Sequence, residues 1–564
     1  MPAPSEFSRS ASRSGPPRAF LALLILLFLG GGALRVWNLD SRGLHTHDEG
    51  RFLIVADSYL FAARAVQGGL GADLSALGEV LRARGGSFFA HAKEGHILIL
   101  ALWRLVAGGD DARSALLMAG FSLLAAWLLY RLVRDWTGDR GSGAAAAAVL
   151  VFSPFFLHYS RCVLSEADSI ALLLGGLFLA RRTWVKIQRA AKTEAGDECR
   201  VGWGRALGAG VLAGLAFTCH YNKLWAIVIG GGLWAAAVFR SSGTRRTAQR
   251  QALTIAAAGF TIPLLSIEFL TLGIKWKAAA AYPGYLTYFG DLWYHFTTFH
   301  AHRAAGFGEG TAAAGTAGST IFAADPLFGF KLLVRWHGWT VALALLISLL
   351  IAATRARRDA LYLILVCLLV PSFGFFSLYR FQVERSFVGL EPAWAALGGV
   401  MWRRGLLALQ RRLSGGREPR PALMAWAVCS VIAVVQVPAA SVLVHSDASS
   451  FKAAALRFAP VLISRGGTVT AGSVTWHARP QWIVYLNQAL DRDREDRCRR
   501  CPGAPRAADY ADWAEEGLGD WLLLEDAQYP DSPLFPAELV SSRSPLITIP
   551  SGAFTPRIDI YRLD

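Results

Sequence analysis

AFLALLILLFLGGGALRVW (Ala19–Trp37) is long and apolar enough to cross a bilayer as one helix, and HTHDEGR (His45–Arg51) follows soon after it. Two adjacent acids, Asp48 and Glu49, stand in that second stretch. A charge near a bilayer centre costs about 2.5–3.5 kcal/mol, and less toward the interface. Acids beside a span therefore persist where they do chemistry or where paired charges hold them. The chain reads as a membrane protein whose first outer loop opens on a reactive pair.

The rest of the sequence repeats the apolar pattern. Of 564 residues, 54% are hydrophobic, and the mean hydropathy is +0.36. The apolar residues come in blocks with short basic clusters at alternate ends, the mark of a polytopic α-helical membrane protein. The net charge of +16 sits in those clusters and not on one soluble face, which argues against nucleic acid as a partner. The blocks predict about eleven transmembrane helices, over 19–38, 112–130, 142–158, 165–181, 205–220, 223–239, 251–272, 334–353, 359–378, 386–401 and 422–444. With residues 1–18 as a cytoplasmic tail, the inner segments hold 26 Lys and Arg and the short outer hairpins hold four. That asymmetry is what the positive-inside rule requires. The tail is basic, as in a signal peptide, but no small-x-small cleavage site follows, so the first run reads as a retained anchor.

Three long segments then lie outside: 39–111, 273–333 and 445–564. The first contains two amphipathic stretches, Phe52–Val66 and His96–Val106, expected to lie along the interface. The second groups Tyr282, Tyr285, Tyr288, Trp293 and Tyr294 ahead of a Gly/Ala/Thr-rich tract at 304–320. These rings either stack on a sugar or acceptor, or form an interfacial belt. The third alternates strand-like runs (Thr468–Trp476, Trp482–Leu486, Trp521–Leu524, Leu546–Ile549, Ile558–Tyr561) with helix-like ones (Phe451–Ile463, Ala508–Glu516). It reads as a small periplasmic α/β domain, 445–564, appended to a transmembrane domain, 19–444. Cys498 and Cys501 form a local pair there, read as a disulfide of an oxidising compartment.

Ionisable residues gather at the outer boundary. They are Asp48 and Glu49, then His91, Lys93 and Glu94, then Arg161, Glu166 and Asp168, then Lys223, and finally Arg380, Glu384 and Arg385. Singly, interfacial Lys and Arg snorkel and anchor. Together they make a carboxylate pair ringed by cations, suited to holding a lipid-linked phosphate while a carboxylate activates a nucleophile. The structural alternative is an acid pair bound to Arg42 or Arg51. His47, His91 and His96 raise a divalent metal ion, although without metal-ligand spacing they read more simply as interface histidines.

Asp-Glu directly after the first span resembles the GT-C class of membrane glycosyltransferases, which use polyprenyl-phosphate sugars. The branch most resembled contains protein O-mannosyltransferases and the lipid A aminoarabinose transferase. Further pieces come in order: His91-Ala92-Lys93-Glu94-Gly95-His96, Asp110–Leu116, Phe152-Ser153-Pro154, Tyr159-Ser160-Arg161, Glu166, Asn222-Lys223, and Glu384-Arg385-Ser386-Phe387 with Pro392. Glu166 stands where the family has Asp, and Glu94-Gly95 where it has a double proline. The resemblance implies a GT-C-like fold and an inverting sugar transfer on the outer face of the inner membrane. It implies Asp48 as base with Glu49 beside it, and Lys93, Arg161, Lys223 and Arg385 on the donor phosphate. His47, His91, Glu166 and Asp168 would support the acceptor, which is a protein, lipid or glycan of the envelope. No cofactor is required by it, though some members use a divalent ion. Two other readings stand: a lipid or glycan flippase, and a non-catalytic assembly protein. A transporter tends to show inverted repeats, and no internal repeat is apparent.

Overall fold

The protein is described by a computed structural model covering residues 17–67, 88, 92–190, 202–278, 285–299, 325, 327–355, 373–374, 384–413, 421–446, 448–465, 468–470, 481–482, 484–486, 488, 512–513, 521–525, 543–551 and 557–562. The chain begins with α1 (Pro17–Val36), a short α2 (Leu39–Arg42), α3 (His47–Gln67) and α4 (Glu94–Ala107). Next come α5 (Asp111–Thr137), α6 (Arg140–Phe152), α7 (Pro154–Ser160), α8 (Glu166–Ala190) and α9 (Trp203–Cys219). A 3-10 turn, Tyr221–Lys223, leads into α10 (Leu224–Phe239), followed by α11 (Gly243–Ala278) and α12 (Tyr288–Tyr294), which continues as a π-helix, His295–Phe299. The later helices are α13 (Phe328–Arg355), a 3-10 segment Glu384–Leu390 running into α14 (Glu391–Leu413), α15 (Pro421–Ser446) and α16 (Ser450–Arg465).

Among the described residues, five helical segments are long and apolar enough to cross a membrane, or up to seven if each of two bent pairs is one span. The protein is a multi-pass helical membrane protein. Of the expected span 359–378, only Phe373 and Gly374 are described. The expected span 142–158 is two helices, α6 and α7, bent by 62°. The break falls where Pro154 lacks an N–H and its ring crowds the preceding turn. Ser153 closes the gap, its Oγ accepting from Phe156 N at 3.1 Å. A second break lies at Gly338, whose φ of 75° is open to glycine. Glu391 bridges both breaks, accepting from Ser153 Oγ at 2.8 Å and lying 3.0 Å from His337 Nε2.

Small residues set the packing. The alanines at 144–148 of α6 are fully buried. A Cβ on Gly399 of α14 would stand 2.3 Å from Ala146 N, so the two backbones touch. Such close approach replaces the hydrophobic driving force that helices lack in lipid.

The C-terminal segment carries a five-stranded sheet, order β2-β1-β3-β5-β4, from β1 (Thr468–Thr470), β2 (Asp512–Trp513), β3 (Trp521–Glu525), β4 (Ile547–Ile549) and β5 (Ile558–Arg562). β1 is parallel to β2 and β3, whereas β5 is antiparallel to β3 and β4, with Leu523 opposite Ile560. α16 covers it, Phe458 meeting Trp521 at 5.2 Å. Two expectations change here. The run Trp482–Leu486, expected as a strand, is helical in its described residues, with Trp482, Val484, Tyr485 and Leu486 all buried. A short apolar run suits a buried strand and a buried helix equally. Conversely, Asp512–Trp513 is strand inside the expected helix 508–516.

Candidate active site

The site begins with the turn into α3. Thr46 and Glu49 cap each other: Glu49 N donates to Thr46 Oγ1 at 3.3 Å, and Thr46 N donates back to Glu49 Oε2 at 3.0 Å. This Thr-x-x-Glu capping box satisfies two N–H groups that the first turn would otherwise leave open. His45 N adds a bond to Oε2 at 2.8 Å, while Arg42 Nη1 at 3.0 Å and Val163 N at 2.8 Å take Oε1. Glu49 is 0% exposed. Its carboxylate is directed entirely into the protein.

Asp48 lies one residue earlier, about 100° around the helix. Its side chain is 20% exposed and pairs with Arg385, from the first turn of the 3-10 segment. The neighbouring acids thus face different surroundings.

Three further groups converge on Asp48 and Arg385. Lys93 precedes the first turn of α4, with Nζ 5.0 Å from the Phe52 ring centre. Burial, with Arg385 and Lys223 nearby, brings its pKa down to about 8 against the pull of Asp48 and Glu166. Lys223 is buried against the 3-10 segment, where a Cβ on Gly389 would lie 3.1 Å from Nζ. Glu166 opens α8 and is buried; among the described residues neither of its oxygens has a hydrogen-bond partner, and His220 Nε2 stands 3.6 Å away. Beneath these lies a fully buried pair, His96 Nδ1 and Asp168 Oδ2, 2.7 Å apart. Phe52 meets the His96 ring edge-to-face at 5.1 Å.

The structure thus brings Asp48, Lys93, Glu166, Lys223 and Arg385 together, with Asp168 below. It separates Arg161, whose Nη1 donates to the carbonyls of Leu34 and Trp37 at 2.8 Å each and of Arg35 at 3.4 Å, at the end of α1. A guanidinium there complements the negative end of the helix. His47 is the partly exposed first residue of α3. His91, Arg380, Tyr282, Cys498 and Cys501, with the tract 304–320, lie outside the described residues.

Glu94 and Asp291 complete the surroundings. Burial raises the Glu94 pKa to about 8, and Asp291 adds to the shift. Asp291, which the sequence did not single out, accepts from Ala92 N at 2.5 Å and lies 3.2 Å from His295 Nδ1. It thereby holds Ala92, at φ 55°, in the turn that presents Lys93. Only the isolated Asp in an aromatic run could have signalled it. The aromatic group itself divides, with Tyr285 and Tyr288 buried and Trp293 and Tyr294 exposed.

The acid pair does not fit a divalent ion. Asp48 is paired with a guanidinium and Glu49 takes four N–H donors, and among the described residues no three His, Cys, Asp or Glu side chains are grouped to hold a metal.

No protein-family model matches this sequence, and no curated protein matches it. Solved structures do. ArnT from Cupriavidus metallidurans, bound to undecaprenyl phosphate, matches with a TM-score of 0.55 at 11% identity, over 96% of this chain and 97% of that one. The fold is that of ArnT. Apo ArnT from the same organism gives 0.53 at 12% identity, again over 96% and 97%. The archaeal oligosaccharyltransferase AglB from Archaeoglobus fulgidus gives 0.46 at 14% identity, over 78% of this chain and 58% of that one. The likeness in fold to ArnT thus spans more of this chain than the motifs, the last of which ends at Pro392.

Proposed function

We propose that this protein is an inverting glycosyltransferase that moves a sugar from a polyprenyl-phosphate donor to an envelope acceptor on the outer face of the inner membrane. One observation carries the reading: a partly exposed carboxylate, Asp48, paired with the partly exposed Arg385 and close to the buried cations Lys93 and Lys223. The fold shared with ArnT, and the undecaprenyl phosphate bound in that structure, support the donor class. The Lys/Arg asymmetry of the loops supports an outward-facing site and a cytoplasmic N-terminus.

In this mechanism the acceptor nucleophile attacks the anomeric carbon while Asp48 takes its proton. The bond from that carbon to the phosphate oxygen breaks, and its electron pair leaves with polyprenyl phosphate. Phosphate is already a good leaving group, so no strong acid is needed. Lys93, Lys223 and Arg385 stabilise the growing negative charge. The donor phosphate competes with Asp48 for Arg385, so the base is released as the donor seats. Glu166 and Asp168 order the cations around it. Glu49 and Arg161 hold the framework and touch no reacting atom. No step passes through a metal.

The test is release of polyprenyl phosphate from a panel of polyprenyl-phosphate sugars by purified protein. Asp48→Asn should fold and lose release. Full turnover by that variant removes the assignment.

A further inference from the structure

The loop before Asp48 is fastened to the C-terminal segment. We infer that Tyr485, Ser449 and Lys452 are positioning residues that set where Asp48 stands. Tyr485 Oη accepts from Leu44 N at 2.6 Å and donates to Asp111 Oδ2 at 3.1 Å, at the start of α5. Ser449 N donates to Ser41 O at 3.3 Å, and its Oγ donates to Leu44 O at 2.9 Å. Lys452 Nζ donates to Asp40 O at 2.6 Å and pairs with the carboxylates of Asp40 and Asp111 at 3.1 Å each.

Three features make this a fixed register and not a loose contact. Most of the bonds go to main-chain groups of 40–44, so they locate the backbone whatever its side chains. Gly43 has φ 62°, and a Cβ there would lie 2.7 Å from Tyr485 Oη and 2.8 Å from Ser449 Cβ. Glycine is therefore required both by backbone conformation and by the approach of the C-terminal segment. The next two residues, His45 and Thr46, donate to Glu49, which shares the first turn of α3 with Asp48. A displacement at Leu44 is passed through that turn to the Asp48 carboxylate.

The inference rests on the proposed role of Asp48 for its catalytic consequence, but the placement of the loop is measurable without it. The experiment uses full-length protein and compares wild type, Tyr485→Phe, Lys452→Ala and Lys452→Arg. Hydrogen exchange should rise over residues 41–50 in Tyr485→Phe and Lys452→Ala and stay unchanged over 203–219. With a polyprenyl-phosphate sugar as donor, kcat should fall about tenfold while donor KM stays within about twofold, the pattern of a lost transition-state alignment. Lys452→Arg, which keeps the charge, should restore both. Unchanged exchange at 41–50, or a rise spread equally through the transmembrane helices, overturns the inference. If wild type transfers sugar from no polyprenyl phosphate, the proposed function falls, and exchange alone decides this point.

Discussion

Arg35, Arg42 and Arg161 are buried as deeply as Lys93 and Lys223, yet the two groups of cations answer to different partners. The arginines bond their own fold. Arg35 reaches Ser122 Oγ at 2.6 Å, Val151 O at 2.9 Å and Gly31 O at 3.1 Å. Arg42 takes Gly43 O at 2.7 Å as well as Glu49, and Arg161 gathers the carbonyls at the end of α1. Around Asp48 the pattern is reversed. Lys93 lies over an aromatic ring, Glu166 stands 3.6 Å from His220 Nε2, and Arg385 pairs with a partly exposed acid. Burial and charge alone do not mark a site. What separates the two regions is the kind of partner: main-chain carbonyls, a hydroxyl and a fully capped acid around the arginines, an aromatic ring and a partly exposed acid around Asp48.

The strongest way to break this contrast is at the acid pair. Asp48→Asn should lower polyprenyl-phosphate release by about 10²–10⁴-fold, the usual range for a lost general base, in a protein that melts like wild type. Glu49→Gln belongs to the other region. Disturbing a buried, hydrogen-bonded charge pair costs about 3–5 kcal/mol, so it should show as a lower melting temperature in detergent. A Glu49→Gln protein that melts normally but has lost turnover would move Glu49 to the reacting side.

Two pH effects sharpen the comparison. Lys93, with its pKa brought down to about 8, is charged below that pH and neutral above it. Donor KM should therefore rise between pH 7 and 9, and Lys93→Met should remove that rise. Glu94 shifts oppositely: its folded pKa of about 8 exceeds the unfolded value of 4.5. The native state then holds an extra proton between those values, so this contribution to stability is complete below pH 4.5 and is lost as pH rises through 8. Melting temperature followed from pH 5 to 8 should decline more steeply in wild type than in Glu94→Gln. The smallest effect lies at the helix breaks, where Ser153→Ala removes a bond to Glu391 together with the cap on Phe156 N. About 1–3 kcal/mol of stability should go, with turnover unchanged.

Part of this was legible in the chain. Pro154 after an apolar run marks a place where a helix cannot continue straight. The order Asp48, Lys93, Glu166, Lys223, Arg385 was readable because each stands at the border of an apolar block. Thr46-x-x-Glu49 was equally readable as a capping box, but reading Asp48 and Glu49 as one pair concealed it. Arg161 could not be sorted from Lys223 by sequence, since its partners are carbonyls and carbonyls carry no side-chain signature. Asp291 was hidden for a related reason, because its partner Ala92 lies 199 residues away.

By itself, then, the sequence determined the helical membrane class and the gathering of charge at one end of the bundle. Both follow from local quantities, the length of apolar runs and the placement of charges beside them. Tertiary structure alone decided which acid stays partly exposed beside a guanidinium and which closes a turn, and that Tyr485 holds the loop before Asp48. Those outcomes depend on which distant main-chain donors and acceptors fill a side chain's hydrogen-bonding capacity. That is settled only when segments far apart in the chain are packed together.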